Sequence, residues 1–177
     1  MKITICDNNP DVILSMQNAF CYEQNVTCMT VDILSMARGT LFSPANSFGF
    51  MDGGVDHDYI RFFGDHLQAK VLDCFARRPR GYLPVGAADM VETGNEKIPR
   101  IIFAPTMSEP MAIVPYNIFR SFRAALKKFQ ELGLNGEVFT PGFGTGVGQV
   151  SPDDAADMMV KAYRSIIYMK DESEKGY

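Results

Sequence analysis

Asn46-Ser47-Phe48-Gly49-Phe50-Met51-Asp52-Gly53-Gly54-Val55-Asp56 decides the reading of this chain. The segment follows a strand-like run at 39–44 and leads into the clearest helical stripe in the sequence. A comparable run, Gly142-Phe143-Gly144-Thr145-Gly146-Val147-Gly148, follows a strand-like segment at 137–140 and precedes a helix start. Glycine lets the backbone enter conformations closed to other residues and approach a ligand with no Cβ in the way. A strand that turns into a helix through such a run presents free N–H groups and the positive end of a helix dipole, an arrangement suited to phosphate. Two such loops at one sheet edge would suit a diphosphate.

More familiar phosphate motifs do not fit. The second loop places glycine at every other position, without the G-x-G-x-x-G register, and lies far from the first strand. Neither loop carries a lysine followed by Ser or Thr at P-loop spacing.

Outward from the loops, strand-like and helix-like segments alternate. Residues 2–7, 25–34, 39–44, 82–87, 100–105 and 137–140 read as strands. Asn9-Pro10-Asp11 reads as a helix start before Val12, Met16 and Phe20. Ile60, Phe63, Leu67, Val71, Leu72 and Phe75 form one continuous helical stripe, and Phe119, Phe122, Leu126, Phe129 and Leu132 form another that stops at Gly133. Ser151-Pro152-Asp153-Asp154 opens a last helix with an N-cap, an N1 proline and two first-turn acids. This alternation predicts an α/β protein, a three-layer α/β/α sandwich around a central mixed sheet. One domain over 1–170 and a charged, fraying tail over 171–177 are expected.

Composition narrows the function. With 177 residues the chain can bury about 70% of its unfolded surface. A net charge of −4 argues against nucleic acid as a partner, and Arg77-Arg78-Pro79-Arg80 reads as a solvated helix terminus. No stretch is apolar enough to span a bilayer and the amino terminus does not read as a signal peptide, so no membrane partner and a cytoplasmic location are expected. The four cysteines, Cys6, Cys21, Cys28 and Cys74, form no CxxC pair and are expected to be free and mostly buried. His57 and His66, nine positions apart, would lie on opposite sides of a single helix, and no zinc site is expected.

Taken together, the motifs resemble those of the macrodomain family, the ADP-ribose-binding, Appr-1''-p processing type. Asn46 followed by Gly53-Gly54-Val55-Asp56 is similar to the family's first ligand loop. Gly144-Thr145-Gly146-Val147-Gly148 is similar to its diphosphate loop, and Val31-Asp32-Ile33 to its Gly-Asp-Ile segment. The resemblance implies a macrodomain-like fold with ADP-ribose as ligand and no cofactor. It assigns Asp32, with Ile33 beside it, to the adenine amino group. Gly54, Val55, Gly144, Thr145, Gly146 and Val147 would give backbone contacts to the diphosphate, Gly53 and Gly148 would belong to the same ligand site, and Asn46 would contact the distal ribose. Asp56 matches the aspartate that orients or activates water in hydrolysing members, with Asn46 as its companion. Two positions depart from the pattern. Val31 replaces a glycine, and Gly148 stands where hydrolysing members carry Tyr or Phe.

Local roles stand beside these. Asp32 also suits a helix or turn cap, Asn46 an Asx turn, and Asp56 the acid of a helix's first turn. Three functions follow. The first is a binding module for ADP-ribose, free or attached to a macromolecule. The second is a mono-ADP-ribosyl hydrolase or O-acyl-ADP-ribose deacylase using Asp56 and Asn46. The third is a structural or assembly protein that retains the fold.

Overall fold

In the computed structural model, residues 1–173 are described, with side chains through residue 168. Six strands, β1 (Lys2–Asp7), β2 (Val26–Thr30), β3 (Thr40–Ser43), β4 (Asp89–Glu92), β5 (Arg100–Phe103) and β6 (Glu137–Thr140), form one sheet in the order β2-β1-β6-β3-β5-β4. The first five in that order are mutually parallel, and β4 runs antiparallel at the edge, so the sheet is mixed as expected. Six helices are described: α1 (Pro10–Ala19), α2 (Ile33–Met36), α3 (Gly54–Phe63), α4 (His66–Ala76), α5 (Pro115–Glu131) and α6 (Pro152–Ser173).

Alternation along each strand sorts side chains into two cores. Ile3, Ile5, Phe42, Ile102 and Val138 join α1, α5 and α6 in one. Cys6, Leu41, Ile101, Phe103 and Phe139 join α2, α3 and α4 in the other. The result is a three-layer α/β/α sandwich, as expected. Phe42 is fully buried, and the rings of Phe122 and Phe129 meet it edge-on. Burying a side chain of that size stabilises the fold by roughly 1.5–3 kcal/mol.

Several sequence boundaries shift, each for a local reason. The stripe over 60–75 belongs to two helices. Gly64, with φ of 94°, ends α3, and α4 resumes at His66. The apolar spacing survives the break because Tyr59, Phe63, Leu67, Val71 and Phe75 all face the same core. His57 and His66 therefore sit on different helices. The strand expected at 25–34 stops at Thr30, because Asp32 caps α2. Residues 82–87 form no strand. Pro84 has no N–H to donate, Gly86 sits at φ 90°, and the edge strand is instead Asp89–Glu92. The thiols are free, but only Cys6 is buried. Cys28 and Cys74 are half-buried and Cys21 is exposed, so the expectation of mostly buried cysteines fails. Of the tail expected at 171–177, residues 171–173 continue α6 and the remainder lies outside the described residues. No described helix is long and apolar enough to cross a membrane.

Candidate functional site

All five parallel strands end at one edge of the sheet, where ligands of open α/β sheets bind. A cleft of about 580 Å³ opens there. It is lined by Asp32, Ile33, Asn46, Gly53, Gly54, Val55, Asp56, Gly144, Thr145, Gly146, Val147 and Gly148. The structure thus brings every residue assigned from the sequence to the ligand site into the lining of one cavity. The two loops nearly touch, since a Cβ on Gly54 would stand 3.9 Å from Val147 Cγ2.

The first loop is held by its own asparagine. Asn46 Oδ1 accepts the N–H groups of Phe48 at 3.2 Å and Phe50 at 3.1 Å, and its Nδ2 donates to Phe50 O at 2.7 Å. The Asx turn foreseen for Asn46 is therefore present. From behind, Gln68 on α4 accepts from Met51 N–H at 2.9 Å and donates to Gly49 O at 2.6 Å. The loop then enters α3 at Gly53, where no side chain caps the helix. The orphan N–H groups of that first turn are available to an anion.

The second loop ties its carbonyls inward. Gly144 O accepts from Val150 N–H at 3.1 Å, Gly146 O from Gln149 N–H at 3.0 Å, and Gly148 O from Ile113 N–H at 3.0 Å. In a trans peptide the C=O and N–H point in opposite directions, so the N–H groups of Thr145 and Val147 face away from these partners. Close packing explains two of the glycines. A Cβ at Gly144 would come within 2.6 Å of Ile118 Cδ1, and one at Gly148 within 2.7 Å of the backbone oxygen of Gly144. Unlike α3, α6 is capped by its own residue: Ser151 Oγ accepts from Asp154 N–H at 3.2 Å. Neither Ser151 nor Pro152 lines the cleft, so this wall is made by the loop's amides and not by the end of α6.

Asp32 caps α2, with Oδ1 accepting from Leu34 N–H at 3.1 Å. Asp56 is buried in the first turn of α3, where the Ser43 hydroxyl donates to it. Burial pushes its carboxyl up to about 7, against the opposing pull of the Ser43 hydrogen bond. His57, beside it, is exposed, and His66 places Nε2 3.0 Å from Thr93 O, away from the cleft lining.

Sequence reasoning passed over part of the lining. Asp7 at the end of β1 and Asn8 and Asn9 just after it line the cleft, as do Phe50, Met107 and Pro110. Asn9 announced itself only as a helix cap, a role it fills by accepting Asp11 N–H at 2.9 Å. The charge of the lining is one-sided: Asp7, Asp32, Asp52, Asp56 and Asp58 take part, and among the described residues no lysine or arginine does.

Comparison with known proteins agrees with this geometry. The family model described as Macro domain matches residues 42–159. An uncharacterized protein of Aquifex aeolicus is 34% identical over 133 residues, covering 75% of this chain and 76% of that protein. Among solved structures, the macrodomain of Mycobacterium tuberculosis DarG superposes with a TM-score of 0.67 at 21% identity, covering 78% of this chain and 89% of that one. A mutant Oceanobacillus iheyensis macrodomain with ADPR superposes at 0.65 with 18% identity, covering 77% and 75% of the two chains. Among the curated relatives it matches, the chain spans from 37% to 76% of their length. The model match takes in both glycine loops, and the sheet that carries them superposes on solved macrodomains; the chain belongs to the Macro domain family.

Proposed function

We propose that this protein binds ADP-ribose, free or as a group on a macromolecule, in the cleft between its two glycine loops. One observation carries the reading: the uncapped first turn of α3 and the glycine-rich loop after β6 line the same cavity. Asp32 then stands at one end for the adenine amino group, and Asn46 near the other for the distal ribose. The amides around Gly53, Gly54 and Val55 and those of 144–148 take the diphosphate between them. A structure with ADPR among the superposed macrodomains supports the choice of ligand. Calorimetry with ADP-ribose, AMP and NAD tests it. ADP-ribose should bind at least tenfold more tightly than AMP, and equal affinities would remove the role of the second loop.

A second reading is hydrolysis, as a mono-ADP-ribosyl hydrolase or O-acyl-ADP-ribose deacylase. A carboxyl held near 7 suits a general base at neutral pH, and Asp56 lines the cleft. Against it, Asp56 is buried and bonded to Ser43. Incubation with mono-ADP-ribosylated protein and with O-acyl-ADP-ribose, comparing Asp56→Ala, separates the two readings. Release of ADP-ribose that the variant cannot sustain would favour the enzyme.

A further inference from the structure

Four consecutive strands of the sheet, β2, β1, β6 and β3, set out the floor of the cleft in steps of about 4.8 Å. Asp32 follows β2, the phosphate-loop glycines follow β6, and Asn46 follows β3. The residue at the end of β1 is Asp7, and it lies between the adenine end and the second glycine loop. The roles assigned above leave Asp7 without a ligand group. The order of the strands supplies one: between an adenine and its diphosphate stands the adenosine ribose.

Resting on the ADP-ribose reading above, we infer that Asp7 is a specificity-determining residue that receives the 2′,3′-diol of the adenosine ribose and excludes ligands phosphorylated at that diol. The side chain is set for it. Asp7 Oδ1 accepts Asn9 N–H at 2.9 Å, and the Asp7 backbone oxygen accepts Val31 N–H at 3.1 Å, which fixes the residue at both ends. Oδ2 faces the start of the second loop, where a Cβ at Gly142 would stand 3.2 Å from it and 2.7 Å from Val12 Cγ1. Glycine at 142 therefore keeps open the space in front of the carboxylate. A carboxylate accepts hydrogen bonds and donates none, so two sugar hydroxyls suit it and a phosphate does not. Asp32 lines the same end of the cleft and adds a second negative charge against a 2′-phosphate.

Asp7 and Asp32 precede the stretch matched by the family model at 42–159, while Gly142, which faces Asp7, lies within it. Asp7 belongs to the β1–α1 unit, whose helix start also carries Asn9 and Val12 into the lining.

The test is calorimetry on the full chain with ADP-ribose, its 2′-phosphate and its 2′-deoxyadenosine analogue, for the wild type, Asp7→Asn and Asp7→Ala. Loss of a charge-assisted hydrogen bond predicts that the deoxy analogue binds the wild type about tenfold more weakly. The 2′-phosphate should bind at least tenfold more weakly than ADP-ribose, and both differences should shrink severalfold in Asp7→Ala. Asp7→Asn keeps the acceptor for Asn9 N–H and should relieve chiefly the discrimination against phosphate. If Asp7→Ala binds ADP-ribose with the wild-type ratios unchanged, or if the wild type does not distinguish the three ligands, the assignment of Asp7 is overturned while ADP-ribose binding stands. If the wild type binds none of them, the ADP-ribose reading itself fails.

Discussion

The hydroxyl of Ser43 donates to the carboxylate of Asp56, joining the last residue of β3 to the first turn of α3 across the base of the first glycine loop. Both residues are buried, and burial raises the acid's carboxyl to about 7 from an ordinary 3.8. Between those two values the native protein keeps a proton that the unfolded chain has already released. The native state then binds more protons, so stability should fall as pH rises from about 4 to 7 and level off above. The ceiling on the effect is about 4 kcal/mol, since each pH unit in that window removes about 1.4 kcal/mol. Urea denaturation at pH 5, 6, 7 and 8 measures the slope. Asp56→Asn, which keeps an acceptor for Ser43, should flatten it and exceed the wild type in stability at pH 8. An unchanged slope would show that Asp56 ionises freely in the fold.

The glycines of the second loop do different jobs, and alanine distinguishes them. At Gly148 a Cβ would meet backbone, 2.7 Å from Gly144 O, where no side chain can swing aside. Gly148→Ala should therefore lower stability by about 1–3 kcal/mol. At Gly146 nothing stands within 4 Å of the added Cβ. Gly146→Ala should leave the thermal midpoint within about 2 °C of wild type while weakening ADP-ribose, because on the proposed reading the added methyl group would intrude where the backbone meets the ligand. Differential scanning fluorimetry and calorimetry read the two effects separately.

Attraction of an anion into a cleft lined by five aspartates, with no cationic side chain among the described residues, has to come from backbone amides. Salt screens charges exposed to solvent, and here the screened interaction is mainly repulsion between carboxylates and ligand. Affinity for ADP-ribose should therefore hold or rise between 50 mM and 500 mM NaCl. A tenfold loss over that range would reveal a cation in the site that the geometry does not contain.

Gln68 lies outside the cleft, yet its amide is the clamp between α4 and the first loop, bonded to Met51 N–H and Gly49 O. Gln68→Ala should cost about 1–2 kcal/mol of stability for the two lost bonds. It should also weaken ADP-ribose binding, since the amides of the following turn lose their fixed position. Asn46→Ala, which removes three bonds within the loop, should weaken binding further. Hydrogen exchange at 47–53 should rise in both variants. Protection unchanged from wild type would show that the loop is held by its backbone alone.

From the sequence alone came the class of fold and much of the lining of the candidate site, because both depend on local chemistry. Strand and helix periods, the Ser151 start and the Gly133 stop are written in neighbouring residues, and so are two glycine runs that free the backbone. What sequence could not supply was anything set by partners distant in the chain. Only the folded sheet, with β1 between β2 and β6, brings Asp7 beside Gly142, residues far apart in sequence. Burial likewise depends on what lies above a residue. Asp56 reads as an ordinary first-turn acid until β3 places Ser43 against it and removes its water. The break at Gly64 was hidden for the converse reason, since two helices turned toward one core keep a single apolar rhythm.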